Sequence, residues 1–216
     1  MDGKASLYEL CMGNGALTSL SNKKTAARLS IYDDTRSAAT GTLTAQCSMN
    51  PAYLSSVTYT FPTEGNFTEE VTLVSNNKSW TSNAVNAAPA ADLGAGYYIQ
   101  RRNALATGIS TLPYGASGGI PTGSKISNIT VSMNLGREQI RELGRRTPYY
   151  RYINFPVEIT TEITVVATQG DQVGVSDTEA SCANPKALAN KTIVLKLCDG
   201  TVIDLGTKNK LTSVLS

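Results

Sequence analysis

The sequence lacks histidine entirely, and charged residues make up only 17% of its 216 positions. Histidine is the commonest general base and transition-metal ligand, so its absence removes the usual starting point for both kinds of chemistry. The formal net charge is only +2, which argues against a protein that coats nucleic acid through bulk electrostatics. No apolar run reaches about 18 residues, so no membrane-spanning helix is predicted.

Cysteine is also scarce. The four cysteines, Cys11, Cys47, Cys182 and Cys198, form no C-x-x-C pair of the kind that binds zinc. The first residues have no apolar segment typical of a secretory signal, so we expect a protein made in the cytoplasm with free thiols. No cofactor and no metal are expected.

Hydroxyl side chains replace the missing charge. The chain contains 20 serines and 26 threonines, a composition that favours strands over helices. Alternating apolar and polar residues predict a mainly β fold with long extended loops. The predicted strands cover residues 26–33, 53–61, 67–75, 125–135, 149–168, 191–198 and 201–205. Residues 34–52 are predicted to form a loop. Turns at 64–66 and 199–200 predict two hairpins.

One short helix is predicted at about residues 136–146. Ile140 and Leu143 are spaced to share a helix face, and Gly144 and Pro148 are typical of the end of a helix.

The domain organisation is predicted to be simple. Residues 1–24 are expected to form an N-terminal arm, and residues 25–216 a single β-rich domain. Within it, residues 76–124 are rich in Asn, Ala, Gly, Ser and Pro. Such a long, weakly patterned segment is typical of a functional loop, and we interpret it as an excursion that orders against a partner.

The short catalytic motifs lack their context. Residues 115–119 match G-x-S-x-G, but the flanking strand, the helix and the histidine base are missing. Residues 21–24 match S-x-x-K without its companion segments. Glu158 and Glu162 share a strand face but lie about 13 Å apart in an extended chain, too far for a glycosidase pair at roughly 5–10 Å. The sequence therefore indicates a protein that is not an enzyme.

Arginine and tyrosine are concentrated in residues 137–152. This combination suits a protein–protein interface, single-stranded nucleic acid, or a solvated helix whose arginine stems cover apolar surface. We favour the first. Together with the aromatic and basic residues of the excursion, the predicted inter-subunit residues are Trp80, Tyr97, Tyr98, Arg101, Arg102, Arg137, Arg141, Arg145, Arg146, Tyr149 and Arg151.

Two stretches carry a family resemblance: residues 61–80 (FPTEGNFTEEVTLVSNNKSW) and residues 134–161 (NLGREQIRELGRRTPYYRYINFPVEITT). They resemble virion structural proteins of tailed phages, most closely tail tube proteins, over about a quarter of the chain. The resemblance implies a β-sandwich or barrel with a short helix. It also implies a ring, commonly a hexamer, that stacks into a hollow tube for DNA.

The same resemblance implies a location in the virion and partners that include other copies, a tape-measure protein, a tail terminator and a baseplate, with transient, non-specific passage of DNA. The polar face of the strand around residue 160 suits a lumen, and we expect Glu158, Thr160, Glu162 and Thr164 to face it. A capsid decoration, neck or tail-completion protein is the alternative within this class. An adhesin or carbohydrate-binding module is more remote, since one Trp and three Phe are few for stacking on sugars.

Overall fold

The computed structural model of the chain describes residues 7–13, 23–32, 43–82, 124–167, 193–196, 202–210 and 212. These residues are mainly strands, which confirms the predicted fold class. The elements are α1 (Leu7–Met12), β1 (Thr25–Tyr32), β2 (Leu43–Pro62), β3 (Thr68–Ser75), β4 (Lys78–Ser82), β5 (Ser124–Asn134), β6 (Arg137–Ile140), β7 (Tyr150–Ile153), β8 (Ile159–Ala167), β9 (Val194–Lys196) and β10 (Val202–Asp204).

The long strand β2 organises an antiparallel six-stranded sheet. Along one edge it pairs with β3 and then β4, and the register continues across the break because Ser75 pairs with Ala52 and Lys78 pairs with Met49. Its other edge pairs with β1 and then with β5, which in turn pairs with β8. Among the strands that the structure describes, this sheet does not close on itself.

The sheet buries one face in two clusters. The first contains Met12, Leu54, Leu135 and Ile153, which bring together α1, the middle of β2 and the segments around β6 and β7. The second packs Ile129 and Val131 of β5 against a small hairpin formed by β9 and β10, which supplies Ile193 and Leu195. This hairpin confirms the pairing predicted for 191–198 and 201–205, although its turn at 199–200 lies outside the described residues.

Glu69 attaches α1 to the sheet. Its Oε1 atom accepts hydrogen bonds from the Tyr8 backbone N–H at 3.0 Å and from the Tyr59 hydroxyl at 2.9 Å. Met12 is buried at the end of the same helix. Residues 7–13 belong to the segment predicted as an arm, and they are docked on their own chain; residues 1–6 and 14–22 lie outside the described residues.

The prediction of a helix at 136–146 was wrong. Residues Arg137–Ile140 form β6, which pairs with β7 in an antiparallel hairpin, with Ile140 opposite Tyr150. Leu143 is fully exposed, so a helix here would have no apolar stripe to bury, and short helices depend on such burial. Gly144 takes a positive φ of 84° in the loop that joins the two strands.

Three strand boundaries also differ from the prediction. Residues 43–52, expected in a loop, extend β2, because β1 and β4 pair with this half of the strand. Residues 78–82, assigned to the excursion, form β4, and residues 83–123 lie outside the described residues. The single strand predicted at 149–168 is two strands, β7 and β8. Strands 26–33, 67–75 and 125–135 are confirmed as β1, β3 and β5, as is the first hairpin.

Candidate interaction surfaces

The face of the sheet opposite the core is hydrophilic across β3, β2, β5 and β8. In one row Glu70 pairs with Thr58, Thr58 with Ser132, and Ser132 with Thr160. We call this surface the polar face; it consists of Ser56, Thr58, Thr60, Thr68, Glu70, Thr72, Asn128, Thr130, Ser132, Asn134, Thr160, Glu162 and Thr164. Its two charged side chains, Glu70 and Glu162, are both acidic and exposed. The surface is therefore rich in hydroxyl groups and negatively charged.

The adjacent residues Glu69 and Glu70 of β3 lie on opposite faces of the sheet. Glu69 points to the core side, where it holds α1, whereas Glu70 is exposed on the polar face. The residues predicted to face a lumen fit this arrangement: Thr160, Glu162 and Thr164 are exposed on the polar face, and Glu158 is exposed just before β8. The sequence prediction missed Glu70, which the alternation of Thr68, Glu70 and Thr72 signals.

Arg137 fixes the base of the β6–β7 hairpin. Its Nε atom donates to the Leu54 carbonyl at 2.8 Å, and its Nη2 atom lies 3.8 Å from the Met12 sulfur. The guanidinium carbon is 5.4 Å from the centre of the Tyr53 ring, a cation–π distance. Burial lowers the pKa of the Arg137 guanidinium. Arg137 was predicted as an interface residue, and the contacts that the structure shows for it lie within its own chain.

Arg151 secures the other strand of the same hairpin. Its Nε atom donates to Asn76 Oδ1 at 2.6 Å, and its Nη2 atom donates to the Ser75 carbonyl at 3.4 Å. These bonds connect β7 to the break between β3 and β4. Arg151, too, was predicted at an interface, and it is half-buried within its own chain.

The tip of this hairpin projects apolar and basic side chains together. We call residues 140–149 the knob. Leu143 is fully exposed, Tyr149 is 62% exposed and Ile140 is 46% exposed. The knob also carries three exposed arginines and one glutamate, namely Arg141, Arg145, Arg146 and Glu142. The predicted interface residues Arg141, Arg145, Arg146 and Tyr149 are thus brought together on one projection.

Two contacts shape the knob. The Arg145 guanidinium lies 5.4 Å from the centre of the Tyr149 ring and 3.5 Å from the Glu142 carboxylate. The Tyr149 N–H donates to the Ile140 carbonyl at 2.8 Å, which continues the hairpin ladder by one step. An exposed ion pair such as Arg145–Glu142 stabilises a fold by about 0–1 kcal/mol. The contacts within the knob therefore do not account for the exposure of Leu143 and Tyr149.

A cleft of about 550 Å³ lies between the base of the hairpin and the polar face, which lines one side of it with Ser56, Thr58, Ser132, Asn134 and Thr160. Its walls include Asn134, Glu138, Asn154, Pro156, Glu158 and Thr160. Glu138 is held in place, because its Oε2 atom accepts from the Tyr152 hydroxyl at 2.7 Å and its Oε1 atom accepts from Asn154 Nδ2 at 2.9 Å. The bond to Glu138 raises the pKa of Tyr152. The charged residues that line the cleft, Glu138 and Glu158, are both acidic.

A second exposed apolar surface lies where β1, the first half of β2 and β4 pair. Cys47 pairs with Leu29 on one side and with Trp80 on the other, so the three side chains share a face. Cys47 is buried, whereas Leu29 is 55% exposed and Trp80 58% exposed. Trp80, which was predicted at an interface, is exposed and lies in β4 rather than in a loop.

The remaining predicted interface residues, Tyr97, Tyr98, Arg101 and Arg102, lie outside the described residues, as do Cys182, Cys198 and the G-x-S-x-G motif. Within the described ranges, no cluster of three or more cysteine, aspartate and glutamate side chains is arranged to hold a metal ion. Cys11 and Cys47 are free thiols, and burial raises the pKa of Cys11, with a smaller contribution from Glu69. No helix in this part of the chain is long and apolar enough to cross a membrane.

No protein-family model matches the sequence, and a search of curated proteins finds no match.

Proposed function

We propose that this chain is a non-enzymatic virion structural protein that self-assembles into stacked rings, forming the tail tube of a tailed phage. The observation that carries the proposal is the polar face, a broad sheet surface whose two charged side chains among the residues named above, Glu70 and Glu162, are carboxylates. The resemblance of residues 61–80 and 134–161 to tail tube proteins agrees with it. Rings of six copies are what that resemblance implies.

The polar face has the chemistry that a DNA conduit needs. Non-specific binding to DNA comes mainly from lysine and arginine side chains that neutralise phosphates. Glu70 and Glu162 repel phosphates, and the hydroxyl and amide groups around them keep the surface hydrated. A lumen lined in this way lets a polyanion pass without holding it.

The exposed apolar side chains support an assembling protein. Leu143, Tyr149 and Ile140 on the knob, and Leu29 and Trp80 on the sheet, are large side chains left open to solvent in groups. Monomeric proteins rarely expose large contiguous apolar patches, which usually mark interaction sites. The polar face and these patches occupy different parts of the surface, as a tube subunit requires.

The proposal is tested by reversing the charge of the polar face. The E70K/E162K variant and the wild type are each assembled with a short DNA duplex at low salt, and the DNA protected from nuclease is measured. We expect little protected DNA for the wild type and at least tenfold more for the variant, with the increase lost at high salt. Glu64→Lys is the control, because Glu64 is exposed in the β2–β3 turn, outside the polar face.

Assembly of both proteins is followed by electron microscopy of the same samples. E70K/E162K tubes that protect no more DNA than the wild type would contradict a lumen position for the polar face. Isolated rings that never stack would favour a neck or tail-completion role over a tube.

A further inference from the structure

The knob is held at its base and free at its tip. Arg137 and Arg151 tie the two strands of the hairpin to β2 and to the β3–β4 break. Beyond Ile140 and Tyr150 the chain leaves the sheet and exposes Leu143 completely. A projection with a fixed base orders few groups on binding, so it loses little conformational entropy when it docks.

The knob combines two kinds of chemistry. Leu143, Ile140 and Tyr149 offer apolar surface, and the three arginines beside them give the tip an excess of positive charge over the single Glu142. Arginine and tyrosine are enriched among the residues that dominate protein–protein binding energy. The partner surface should therefore be concave, partly apolar and acidic.

The cleft has these properties. It is concave, its charged residues are Glu138 and Glu158, and Pro156 supplies apolar surface at its wall. Both oxygens of Glu138 already accept hydrogen bonds, so this carboxylate is fixed as the negative side of the cleft. Glu158 is exposed at its rim.

A chain does not place its knob in its own cleft. Gly136 and Glu138, which line the cleft, are at the base of the hairpin, whereas Leu143 is at its tip. The four residues of β6 span about 13 Å at roughly 3.3 Å per residue, and they lead away from the base. The complementary surfaces therefore meet only between two copies.

We propose that the knob of one copy docks into the cleft of a second copy, with Leu143 against Pro156 and Arg145 and Arg146 facing Glu138 and Glu158. The inference rests on the self-assembly proposed above and specifies one of its contacts. The contact joins two different surfaces, so repeating it generates a closed ring or a helical stack rather than a two-fold dimer. Glu158 and the polar-face residues that line the cleft then belong to the interface, while Glu70 and Glu162, which do not line it, remain on the open part of the polar face.

Single-stranded nucleic acid is the competing occupant of the knob. Arginines and Tyr149 suit stacked bases, but Leu143 and Ile140 do not contribute to phosphate binding, and the acidic cleft has no role in that case. The charge complementarity of knob and cleft therefore favours a second copy.

The test is a charge exchange in the full-length chain. R145E/R146E reverses the knob and E158R reverses the rim of the cleft, and the triple variant carries both changes. Sedimentation velocity over a concentration series gives the concentration at which each protein assembles. We expect each single-surface variant to need at least tenfold more protein than the wild type. The triple variant should recover part of this difference, because one reversed charge of the knob again faces an opposite charge at position 158, whereas Glu138 still repels the other.

Controls separate the contact from general charge effects. R28E and E64K change exposed residues outside the knob and the cleft, and they should assemble like the wild type. Thermal unfolding establishes that every variant is folded, as expected for changes to exposed side chains.

Three other results would contradict the knob–cleft contact. A wild type that assembles, with reversed variants that assemble equally well, contradicts the knob–cleft contact and leaves the tube proposal standing. A wild type that stays monomeric at every concentration contradicts both. Variants that assemble normally but lose binding to a single-stranded oligonucleotide assign the knob to nucleic acid.

Discussion

The Nε atom of Arg137 donates a 2.8 Å hydrogen bond to the backbone carbonyl of Leu54. This bond lies beside a β-bulge, since Leu54 pairs with Leu73 and Ser56 with Thr72, which leaves Ser55 as the extra residue. The Ser55 carbonyl accepts from the Leu135 N–H at 2.9 Å. The carbonyls of Leu54 and Ser55, at the bulge in β2, thus accept hydrogen bonds from Arg137 and Leu135. These two bonds attach the start of the β6–β7 hairpin to the core.

Replacing Arg137 with methionine should destabilise the fold by about 2–4 kcal/mol. The variant leaves the Leu54 carbonyl without its charged donor, which costs about 1–3 kcal/mol, and it removes the cation–π contact with Tyr53. Urea denaturation followed by tyrosine fluorescence measures the change. R141M is the matched control, because Arg141 is exposed on the knob, and it should change stability by less than about 0.5 kcal/mol. Equal stabilities for the two variants would contradict the anchoring role.

Two leucines eight positions apart should respond differently to alanine substitution: one variant should lose stability and the other should assemble less readily. Leu135 is completely buried and Leu143 fully exposed. L135A should lower the free energy of unfolding by about 2–5 kcal/mol, because it leaves a cavity in the first core cluster. L143A should leave that free energy nearly unchanged and raise the concentration needed for assembly. A strongly destabilised L143A would show that Leu143 packs within its own chain.

Glu69 and Glu70 form a second matched pair, on opposite sides of β3. E69A removes the acceptor of two hydrogen bonds, from Tyr8 and Tyr59, and it should cost about 1–3 kcal/mol. E70A changes an exposed residue of the polar face and should cost less than about 0.5 kcal/mol. Hydrogen exchange of residues 7–13 should accelerate in E69A only; unchanged protection there would contradict the attachment of α1 through Glu69.

Stability should fall in alkaline solution, partly because of Tyr53. Burial raises the pKa of Tyr53 above the ordinary 10.0, and the neighbouring Tyr150 raises it further, whereas Arg137 and Arg151 oppose the shift. A raised pKa means that the folded state holds the proton more tightly than the unfolded state. The stabilisation is therefore complete below about pH 10 and is lost as the pH rises through the folded-state pKa.

The variant Y53F keeps the ring and removes the ionisation. Its free energy of unfolding should decline less steeply than that of the wild type above pH 10, while Tyr8, whose pKa burial also raises, still titrates in both proteins. Urea denaturation at a series of pH values makes the comparison. Parallel pH profiles for the two proteins would show that Tyr53 ionises equally in both states.

Strand alternation predicted most of the described sheet. The apolar positions Ile129, Val131 and Met133 alternate with Thr130 and Ser132, and each set lies on the face that this pattern indicates. The polar residues at 160, 162 and 164 were assigned to one face for the same reason. A period of two is enough to separate the faces wherever one side is buried.

The hairpin at 137–153 was missed because its stability is not local. Ile140 and Leu143 have helical spacing, but the strand at Arg137 is fixed by a carbonyl more than eighty positions earlier in the chain. The first half of β2 was missed for a related reason: Ala45 and Cys47 join a strand because β1 and β4 flank them. Neither contact leaves a signal in the neighbouring sequence, and tertiary pairing overrides local propensity in both cases.

The candidate surfaces were predicted only in part. Arginine and tyrosine enrichment drew attention to residues 137–152, although they were predicted as a helix and a strand rather than a hairpin. The enrichment did not distinguish Arg137 and Arg151, which hold the base, from Arg145 and Arg146, which project from the tip. Glu138 and the cleft were not anticipated, since they depend on how the hairpin lies against the polar face.

Electron cryo-microscopy of the purified wild-type chain over a range of concentrations tests the central claim most directly. We expect hollow tubes of stacked rings in which Glu70 and Glu162 face the bore. Monomers at every concentration, or tubes with the polar face on the outside, would contradict it.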